Sequence, residues 1–418
     1  MKATFTSVVH LSISIMMLFY AFLSRNAFSL VLSLAMILIY YNEYKSFEDA
    51  DRSIGKLKIT RTINRTVCSE LEYIEVTINI VNQGSRAIPR MMIVDVPPKY
   101  IKPENGKAKF DVTVPQGSSI EITYRARVLA PGTHDFNELV LTVSDALNYF
   151  YSEYRFNIRT TVVALPLSIP IKIDIESLQR LLSIHTKGKA IGGAYNIANI
   201  RDYTPGDDIR RIIWKVYART GRLMVREDYG EAKARTLILI DIKKYMWNIG
   251  EEPNTLAHIQ LRYARSLIEY IARNGATIDA SICSGIIPKV VESVNTALVE
   301  SLYRIFSVLD SGGGCESTIE VYTQVPGYLG RVASDYDAVV LITNLITLAL
   351  EGSIALEELL KVFNGKLVIV VLEDGTREFI GVDKAELFVR SLIEVAERGG
   401  ARIELPSESF RVDLRWLK

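Results

Sequence analysis

The first forty-five residues differ from the rest of the chain in the pattern of their apolar positions. Two apolar runs, Val8 to Leu23 and Ala27 to Tyr41, are separated only by the polar triplet at 24–26. With flanking residues each run approaches the roughly 20 residues that a helix needs to span a bilayer. We therefore predict a transmembrane helical hairpin over residues 1–45. A cleaved signal peptide is the alternative, although the first run lacks an A-x-A-like cleavage site and the second would still need burial.

A hairpin returns the chain to the side of the membrane on which it began. Arg25 lies in the hairpin turn, whereas Lys2, Lys45 and Arg52 lie on the other side. The positive-inside rule therefore favours a cytoplasmic location for the soluble part. The three cysteines are far apart and lack C-x-x-C spacing, so they indicate neither a disulfide framework nor a zinc site. We expect a protein of the cell membrane with two transmembrane helices and cytoplasmic soluble domains.

Residues 55–165 show short runs of alternating or β-branched residues, with Gly, Pro and Asn in the gaps. Such runs, at a spacing of about ten residues and without helical segments between them, are typical of an antiparallel β-sandwich. We therefore predict an all-β sandwich domain over 55–165. Its predicted strands are Leu57 to Ile63, Tyr73 to Val81, Met91 to Val96, Lys109 to Val114, Ile120 to Val128 and Leu139 to Val143.

From residue 233 onward apolar strand patterns alternate with helical patterns. Buried strands joined by crossover helices predict a doubly wound, mostly parallel α/β domain over 233–418, with any ligand beyond the carboxyl ends of its strands. A helix at Ile175 to Ile184 and a glycine-containing loop without the ending of a phosphate-binding loop precede it. The predicted strands are Thr236 to Ile240, Thr277 to Ile282, Ala338 to Thr343, Leu367 to Leu372 and Arg402 to Leu405. The predicted helices are Leu256 to Arg273, Thr296 to Leu309, Ala355 to Phe363 and Lys384 to Arg398.

The segment from Arg201 to Arg226 combines a turn, an amphipathic helix and a basic surface. Pro205-Gly206 suits a type II turn, and Asp207 or the aspartate after it can cap a helix. Five apolar residues then recur at helical spacing and form one stripe. The pattern predicts a half-buried helix, with two aromatic residues in the core. The stripe consists of Ile209, Ile212, Ile213, Val216 and Tyr217, and the aromatic residues are Trp214 and Tyr217.

This segment resembles the core motif of the domain of unknown function 58 family, which reads R-x-Y-x-P-G-D, R-x-I, W-K and A-R. It departs at Ile213, where many relatives carry an acid. The resemblance implies an immunoglobulin-like sandwich, a signature segment over 175–232 that packs on the last domain, and a von Willebrand factor A-like α/β domain. The family has no settled activity. The matching residues are Arg201, Tyr203, Pro205, Gly206, Asp207, Arg210, Ile212, Trp214, Lys215, Ala218 and Arg219.

The resemblance to a von Willebrand factor A-like domain directs attention to Asp241, after the first strand. Domains of that type bind a divalent cation through D-x-S-x-S with later oxygen ligands. Here Lys243 and Tyr245 replace the serines, and Asn344 follows Thr343 where an acid is common. Mg²⁺ prefers oxygen ligands, so we predict no metal and no cofactor. Our hypothesis is that the Lys243 ammonium pairs with the carboxylate in place of a metal; the alternative is that Lys243 faces solvent.

Two interpretations of the basic residues in the signature segment remain open. Arg201, Arg210 and Arg219 with Asp207 can form an ion-pair network that locks the turn and helix. Alternatively, basic residues form a docking face for an acidic partner, lipid headgroups or nucleic acid. The net charge of +1 gives no reason to expect nucleic acid as the main partner. The docking face would consist of Arg210, Arg211, Lys215, Arg222 and Arg226.

Recognisable catalytic patterns are missing from the sequence: there is no nucleophile beside a base, no G-x-S-x-G elbow, no nucleotide loop and no histidine cluster. We therefore expect that the protein is not an enzyme. The family resemblance implies a membrane-anchored scaffold or adaptor for protein-protein interaction beside a MoxR-type AAA+ ATPase, in assembly or remodelling of membrane or envelope complexes. A metal-dependent adhesion or ligand-binding module is the alternative. A hydrolase that uses Asp207 with Asp208 is less favoured, because adjacent residues at a helix start usually cap it.

Overall fold

The computed structural model divides into two compact units, residues 1–167 with 306–312 and residues 168–305 with 313–418. The predicted helix at 175–184, the glycine-containing loop and the signature residues Pro205, Gly206, Asp208, Arg210 and Arg211 lie outside the described residues. The described residues are 1–171, 197–204, 207, 209, 212–228, 235–273, 277–282, 289–291, 298–314, 336–363, 365–372, 381–406, 409 and 411.

Two long helices, α1 (Phe5–Ser24) and α2 (Ala27–Ser53), open the first unit. Between them Arg25 adopts a left-handed conformation, and Asn26 Oδ1 accepts a hydrogen bond from the Phe28 amide at 2.9 Å. This side chain therefore caps α2. Both helices are long and apolar enough to cross a membrane. The second helix continues past the predicted boundary at residue 45 into a 3₁₀ turn at Ile54–Lys56.

Two antiparallel sheets form the sandwich of the first unit. Their orders are β1-β10-β9-β5-β7 and β2-β4-β8-β6, and β3 pairs in parallel with β10. Apolar side chains of both sheets share one buried core. The strands are β1 (Lys2–Ala3), β2 (Leu57–Ile63), β3 (Val67–Ser69), β4 (Tyr73–Asn82), β5 (Ile88–Asp95), β6 (Ile101–Pro103), β7 (Lys109–Val114), β8 (Ser119–Val128), β9 (Gly132–Ser144) and β10 (Phe150–Leu165).

Strand β10 is the longest in the sandwich, and the sequence patterns did not assign it. In its first half exposed polar side chains alternate with buried or half-buried ones, several of them aromatic, and its register with β9 shifts between Asn157 and Thr160. A bulge of this kind interrupts the two-residue alternation by which a strand is recognised. The strand β1 was also missed, because two residues before a helix carry no periodicity.

A six-stranded sheet forms the centre of the second unit. Its order is β15-β14-β13-β16-β17-β18, with β15 antiparallel and the other neighbours parallel. The buried pattern of the central strands fits a sheet covered on both faces. The elements are β13 (Arg235–Ile240), α4 (Leu256–Arg273), β14 (Thr277–Ile282), β15 (Lys289–Val291), α5 (Leu298–Phe306), β16 (Ala338–Asn344), α6 (Leu345–Phe363), β17 (Leu367–Leu372), α7 (Val382–Arg398) and β18 (Arg402–Glu404), where α3 belongs to the signature segment below.

The parallel α/β arrangement expected for the carboxyl-terminal half is present. One expectation was wrong: α6 begins at Leu345, directly after β16, ten residues before the predicted start. An apolar run that continues from a strand into a helix without a turn residue gives no boundary signal. The strand order reverses between β13 and β16, so the crevice of this sheet lies where Asp241 and Asn344 end these two strands.

Candidate functional sites at the Asp241 loop and the signature segment

The carboxylate of Asp241 is held by two side chains of the chain itself. The Lys243 ammonium lies 3.7 Å from Asp241 Oδ1, and both side chains are buried, with exposed fractions of 3% and 2%. The Thr343 hydroxyl donates to Asp241 Oδ2 at 3.1 Å. This is the ion pair that the sequence favoured, and the burial of Lys243 contradicts the alternative that it faces solvent. Each carboxylate oxygen therefore has a partner from within the domain.

Asn344 caps helix α6. Its Oδ1 accepts a hydrogen bond from the Thr347 amide at 2.9 Å, which is the geometry of a side chain that caps a helix start. Its Nδ2 donates to Gln260 Oε1 at 3.0 Å. Gln260 in turn donates to the backbone carbonyls of Asp241 and Ile342. The asparagine that stands where an acid is common therefore orders the crevice through hydrogen bonds.

The loop after Asp241 is packed tightly against other parts of the unit. Residues Lys244–Asn248 form a 3₁₀ helix, and Trp247 Nε1 donates to the Gly313 carbonyl at 2.7 Å. A Cβ at Gly314 would lie 2.6 Å from the carbonyl oxygen of Ile242, so a glycine is required there. Tyr245 does not supply an open hydroxyl, because its Oη lies 2.7 Å from Thr347 Oγ1. Sequence reasoning missed Gln260, Trp247 and Gly314, and the Gly312–Gly314 run was the one available signal.

This side-chain set does not fit a divalent cation. A hard cation needs several oxygen ligands. At Asp241 one carboxylate oxygen faces the Lys243 ammonium and the other accepts a hydrogen bond from a hydroxyl, while Asn344 presents its NH₂ group to Gln260. A cation beside the carboxylate would also meet the positive charge of Lys243. In the part of the chain that the structure describes, no three His, Cys, Asp or Glu side chains are grouped as metal ligands.

The signature segment contains the short hairpin of β11 (Ile197–Asp202) and β12 (Met224–Asp228), with helix α3 (Trp214–Thr220) between the strands. Arg201 and Asp207 form a two-pronged ion pair, with Nη1–Oδ2 at 2.8 Å and Nη2–Oδ1 at 2.7 Å. The Thr204 amide also donates to Asp207 Oδ2 at 2.9 Å. The Arg201 guanidinium and then this amide hold the pKa of the Asp207 carboxyl well below its usual range. Asp207 therefore closes the turn.

The helix expected through the apolar stripe is not continuous, because Ile212 and Ile213 are not helical and α3 begins at Trp214. Ile212 instead forms a bridge with Val225, and the Ile213 amide donates to the Met224 carbonyl at 2.9 Å. The two β-branched isoleucines therefore extend the pairing with β12 before the helix begins. A left-handed Gly221 ends α3, and its amide donates a hydrogen bond to the Tyr217 carbonyl at 2.9 Å.

The prediction that Trp214 and Tyr217 lie in the core was also wrong. Their exposed fractions are 55% and 43%, and their rings form an edge-to-face pair with centroids 6.2 Å apart. Lys215 and Arg219 are exposed on the same short helix. We call the side chains of Trp214, Lys215, Tyr217 and Arg219 the α3 surface. The wider network expected at Arg219 is not seen, because the described residues give its guanidinium no ion-pair partner.

Comparisons with known proteins bear on the carboxyl-terminal part of the chain. The family model described as "Protein of unknown function DUF58" matches residues 199–378, which include the signature segment and the Asp241 loop. No curated protein matches the chain.

Three similar solved structures illustrate what the structural comparison found. The CARDB domain of a Pyrococcus furiosus protein, in complex with di-metal ions, is 13% identical at a TM-score of 0.19, over 26% of this chain and 93% of that chain. Salmonella alpha-2-macroglobulin reacted with methylamine is 18% identical at a TM-score of 0.22, and the match covers 27% of this chain and 9% of that chain. A sporulation control protein of Bacillus subtilis is 9% identical at a TM-score of 0.17, and the match covers 26% of this chain and 49% of that chain. Similarity at these TM-scores supports no conclusion about this chain.

Proposed function

We propose, from the chain's membership of the domain of unknown function 58 family over residues 199–378, that this protein is a membrane-anchored adaptor that holds a protein partner through the α3 surface. In this proposal helices α1 and α2 cross the membrane and the soluble units lie in the cytoplasm. The sandwich is immunoglobulin-like, and the last domain is von Willebrand factor A-like. The reversal of strand order between β13 and β16 supports the last assignment.

The observation that carries this proposal is the exposure of Trp214 and Tyr217 on a short helix. Tryptophan, tyrosine and arginine are enriched among the residues that dominate binding energy at protein interfaces. The cationic residues Lys215, Arg219 and Arg222 lie on this helix or just after it, and all three are exposed. Charge complementarity therefore favours a partner with an acidic surface, because opposite potentials steer association and fix register.

The family resemblance suggests which partner to test first: an AAA+ ATPase of the MoxR type, in the assembly or remodelling of membrane or envelope complexes. An adaptor role for the chain also agrees with the Asp241 crevice. Among the residues that the structure describes there, Asp241 and Asn344 are engaged by neighbouring side chains, and these two residues leave no open ligand position for a metal or substrate. A metal-dependent adhesion module would need oxygen ligands that the chain has replaced.

Capture of the ATPase by the full-length protein tests this proposal. The chain is purified in a mild detergent and incubated with a purified MoxR-type ATPase from the same organism, with and without ATP. We expect capture by the wild-type chain and a loss of about tenfold or more in the K215E/R219E variant, which reverses two charges of the α3 surface.

The matched control is the K58E/K102E variant, which reverses two exposed lysines of the sandwich. It should capture the ATPase as the wild-type chain does. An equal loss of ATPase capture in both double variants would mean that capture depends on the net charge of the chain and not on the α3 surface. Undiminished capture by a folded K215E/R219E variant would overturn the assignment of the α3 surface.

A further inference from the structure

The turn between β9 and β10, residues 145–149, is bonded to the first residues of helix α1. Thr4 caps this helix, and its amide donates to the Tyr149 carbonyl at 2.9 Å. The Thr4 hydroxyl donates to the Asn148 carbonyl at 2.9 Å. Just before it, β1 pairs with the start of β10, with Ala3 opposite Phe150. The start of α1 and the β9–β10 turn therefore lie at the same level of the first unit.

Tyr149 extends further along the two helices. Its hydroxyl lies 2.9 Å from His10 Nδ1, and its ring centroid is 5.1 Å from that of His10 and 6.1 Å from that of Tyr40. His10 Nε2 lies 3.1 Å from the Met36 carbonyl of α2. Since a helix rises about 1.5 Å per residue, His10 lies roughly 7 Å beyond the start of α1 at Phe5. The side chain of Tyr149 therefore reaches past the first turn of α1.

The length of α1 fixes where this level lies in a bilayer. Helix α1 has 20 residues, which at 1.5 Å each matches the roughly 30 Å of the hydrocarbon core. A spanning helix of this length has few residues to extend into water, which places Phe5 near the edge of the hydrocarbon. Tyr40, Tyr41 and Tyr44 of α2 lie near the same end, as aromatic residues do at membrane interfaces.

The β9–β10 turn exposes one large apolar side chain on a fixed backbone. Asp145 is fully buried, and its carboxylate accepts hydrogen bonds from the amides of Leu147, Tyr149 and Phe150 at 3.1, 3.0 and 2.6 Å. These bonds fix the turn. Leu147, at its tip, is nevertheless 48% exposed. The turn therefore holds a leucine away from the sandwich at the level of the bilayer edge.

We propose that the β9–β10 turn is a lipid-contact site, with Leu147 inserted into a phospholipid bilayer at the boundary between headgroups and acyl chains. The inference rests on the membrane anchoring in the proposed function. Lys2 lies over the Tyr151 ring, 5.9 Å from its centroid, where its ammonium can reach headgroup phosphates. The consequence is that the sandwich is held at a fixed height on the membrane by both the helices and this turn.

The test places an environment-sensitive fluorescent amino acid, encoded genetically, at position 147 of the full-length chain. The chain is reconstituted in phosphatidylcholine–phosphatidylglycerol vesicles, and quenching by a lipid spin-labelled near the headgroup is compared with quenching by aqueous iodide. We expect lipid quenching several-fold stronger than at the control site, and protection from iodide. Ala146, exposed on the same turn, is a second site in case the label at 147 disturbs folding.

The control site is Arg65, an exposed residue next to Thr66, whose carbonyl accepts from the Val163 amide near the far end of β10. At about 3.3 Å per residue, Val163 lies on the order of 40 Å along the strand from Phe150. Equal quenching by lipid at 147, 146 and 65, with full iodide access, would overturn the lipid contact.

Flotation of the vesicles after alkaline extraction separates this inference from the one on which it rests. A chain that floats while its turn remains open to iodide keeps its membrane anchor and lacks the lipid-contact site. A chain that does not float contradicts both the anchor and the lipid contact.

Discussion

The Asp241 loop and the α3 surface belong to the same folded unit, but the first buries and pairs its side chains whereas the second exposes them. At Asp241 a carboxylate and an ammonium are buried and paired with each other. On α3 a tryptophan and a tyrosine are left exposed. A buried polar group that already has its partners gains little from a ligand, whereas an exposed aromatic pair gains by losing its contact with water. In the proposed function recognition of a partner therefore belongs to the signature segment and not to the crevice of the sheet.

The difference also has a consequence for regulation. A crevice that is completed by a metal ion changes its structure when the ion leaves. Here the positive charge is part of Lys243, so we expect the geometry of the Asp241 loop to be independent of the concentration of divalent ions. Removing one partner of such a pair leaves an uncompensated buried charge, which is the costly change.

The Lys243→Met variant removes the internal cation and keeps a side chain of similar length. We expect the free energy of unfolding of the second unit to fall by about 3–5 kcal/mol, because Asp241 is left charged and buried. Chemical denaturation in detergent, followed by hydrogen exchange of the β13 amides, measures it. The D241N/K243M double variant is the control and should recover most of the loss. If Lys243→Met were as stable as the wild-type chain, the Lys243 ammonium would not be needed to compensate the charge of Asp241, and the account of the crevice as closed by this ion pair would be wrong.

Restoring oxygen ligands should reopen the crevice. In the K243S/Y245S/N344D variant two serines and an acid stand where the metal-binding domains have ligands. We expect Mg²⁺ to stabilise this variant, by about 2.7 kcal/mol at a hundred times its dissociation constant. Calorimetric titration measures the binding. The wild-type chain is the control, and micromolar Mg²⁺ binding by it would show that the internal ion pair does not exclude a metal.

The Gly314→Ala variant tests how closely the loop is packed. The added Cβ would lie 2.6 Å from the Ile242 carbonyl oxygen and the Lys243 carbonyl carbon, both of them backbone atoms. Overpacking of this kind costs about 1–3 kcal/mol. The matched control is Gly55→Ala, where nothing lies within 4 Å and a change within about 0.5 kcal/mol is expected. Equal thermal unfolding midpoints for Gly314→Ala and Gly55→Ala would mean that the loop after Asp241 moves to accommodate the added Cβ without loss of stability.

The smallest effect is a pH dependence of the signature turn. The folded pKa of Asp207 lies below its usual value, so the stabilisation that it contributes is complete above an ordinary aspartate pKa of about 4. It is lost as the pH falls further, through the folded pKa. Hydrogen exchange of the peptide over 201–209, corrected for intrinsic rates, should be flat from pH 7 to 5 and faster towards pH 3.

The matched variants are D207N and D202N. Asn at 207 cannot form the ion pair with Arg201, so exchange in D207N should already be fast at pH 7. Asp202 is exposed at the end of β11, and D202N should behave as the wild-type chain. If the wild-type chain, D207N and D202N exchanged at identical rates, the ion pair of Arg201 with Asp207 would have no structural role in the turn.

Local patterns predicted the elements whose boundaries are set locally. Helix α4 and strand β14 begin and end at the predicted residues, because each is a periodic run flanked by polar residues or glycine. The signature helix was misplaced because Ile212 pairs with Val225, and periodicity within the helix contains no information about that contact. A strand partner from another part of the chain overrode the helical pattern.

At the Asp241 site, too, one contact could be predicted from the sequence and others depended on how distant parts of the chain pack. The pairing of Asp241 with Lys243 was expected because Lys243 stands where the resembling metal-binding domains have a serine ligand, so that its ammonium could replace the metal. The roles of Gln260 and Gly314 depend on how α4 and a later loop pack on the crevice. The exposure of Trp214 was unexpected because large aromatic residues usually lie in cores, and an exposed pair indicates an interaction surface.

The dissociation constant of the purified MoxR-type ATPase for the W214A/Y217A variant tests the central claim most directly. The exposed rings add little to folding, so the variant should unfold at the temperature of the wild-type chain. We expect its affinity for the ATPase to be at least about tenfold weaker, the effect of losing interface residues worth more than 1 kcal/mol each. A folded variant that binds the ATPase as tightly as the wild-type chain would contradict the claim that the α3 surface holds the partner.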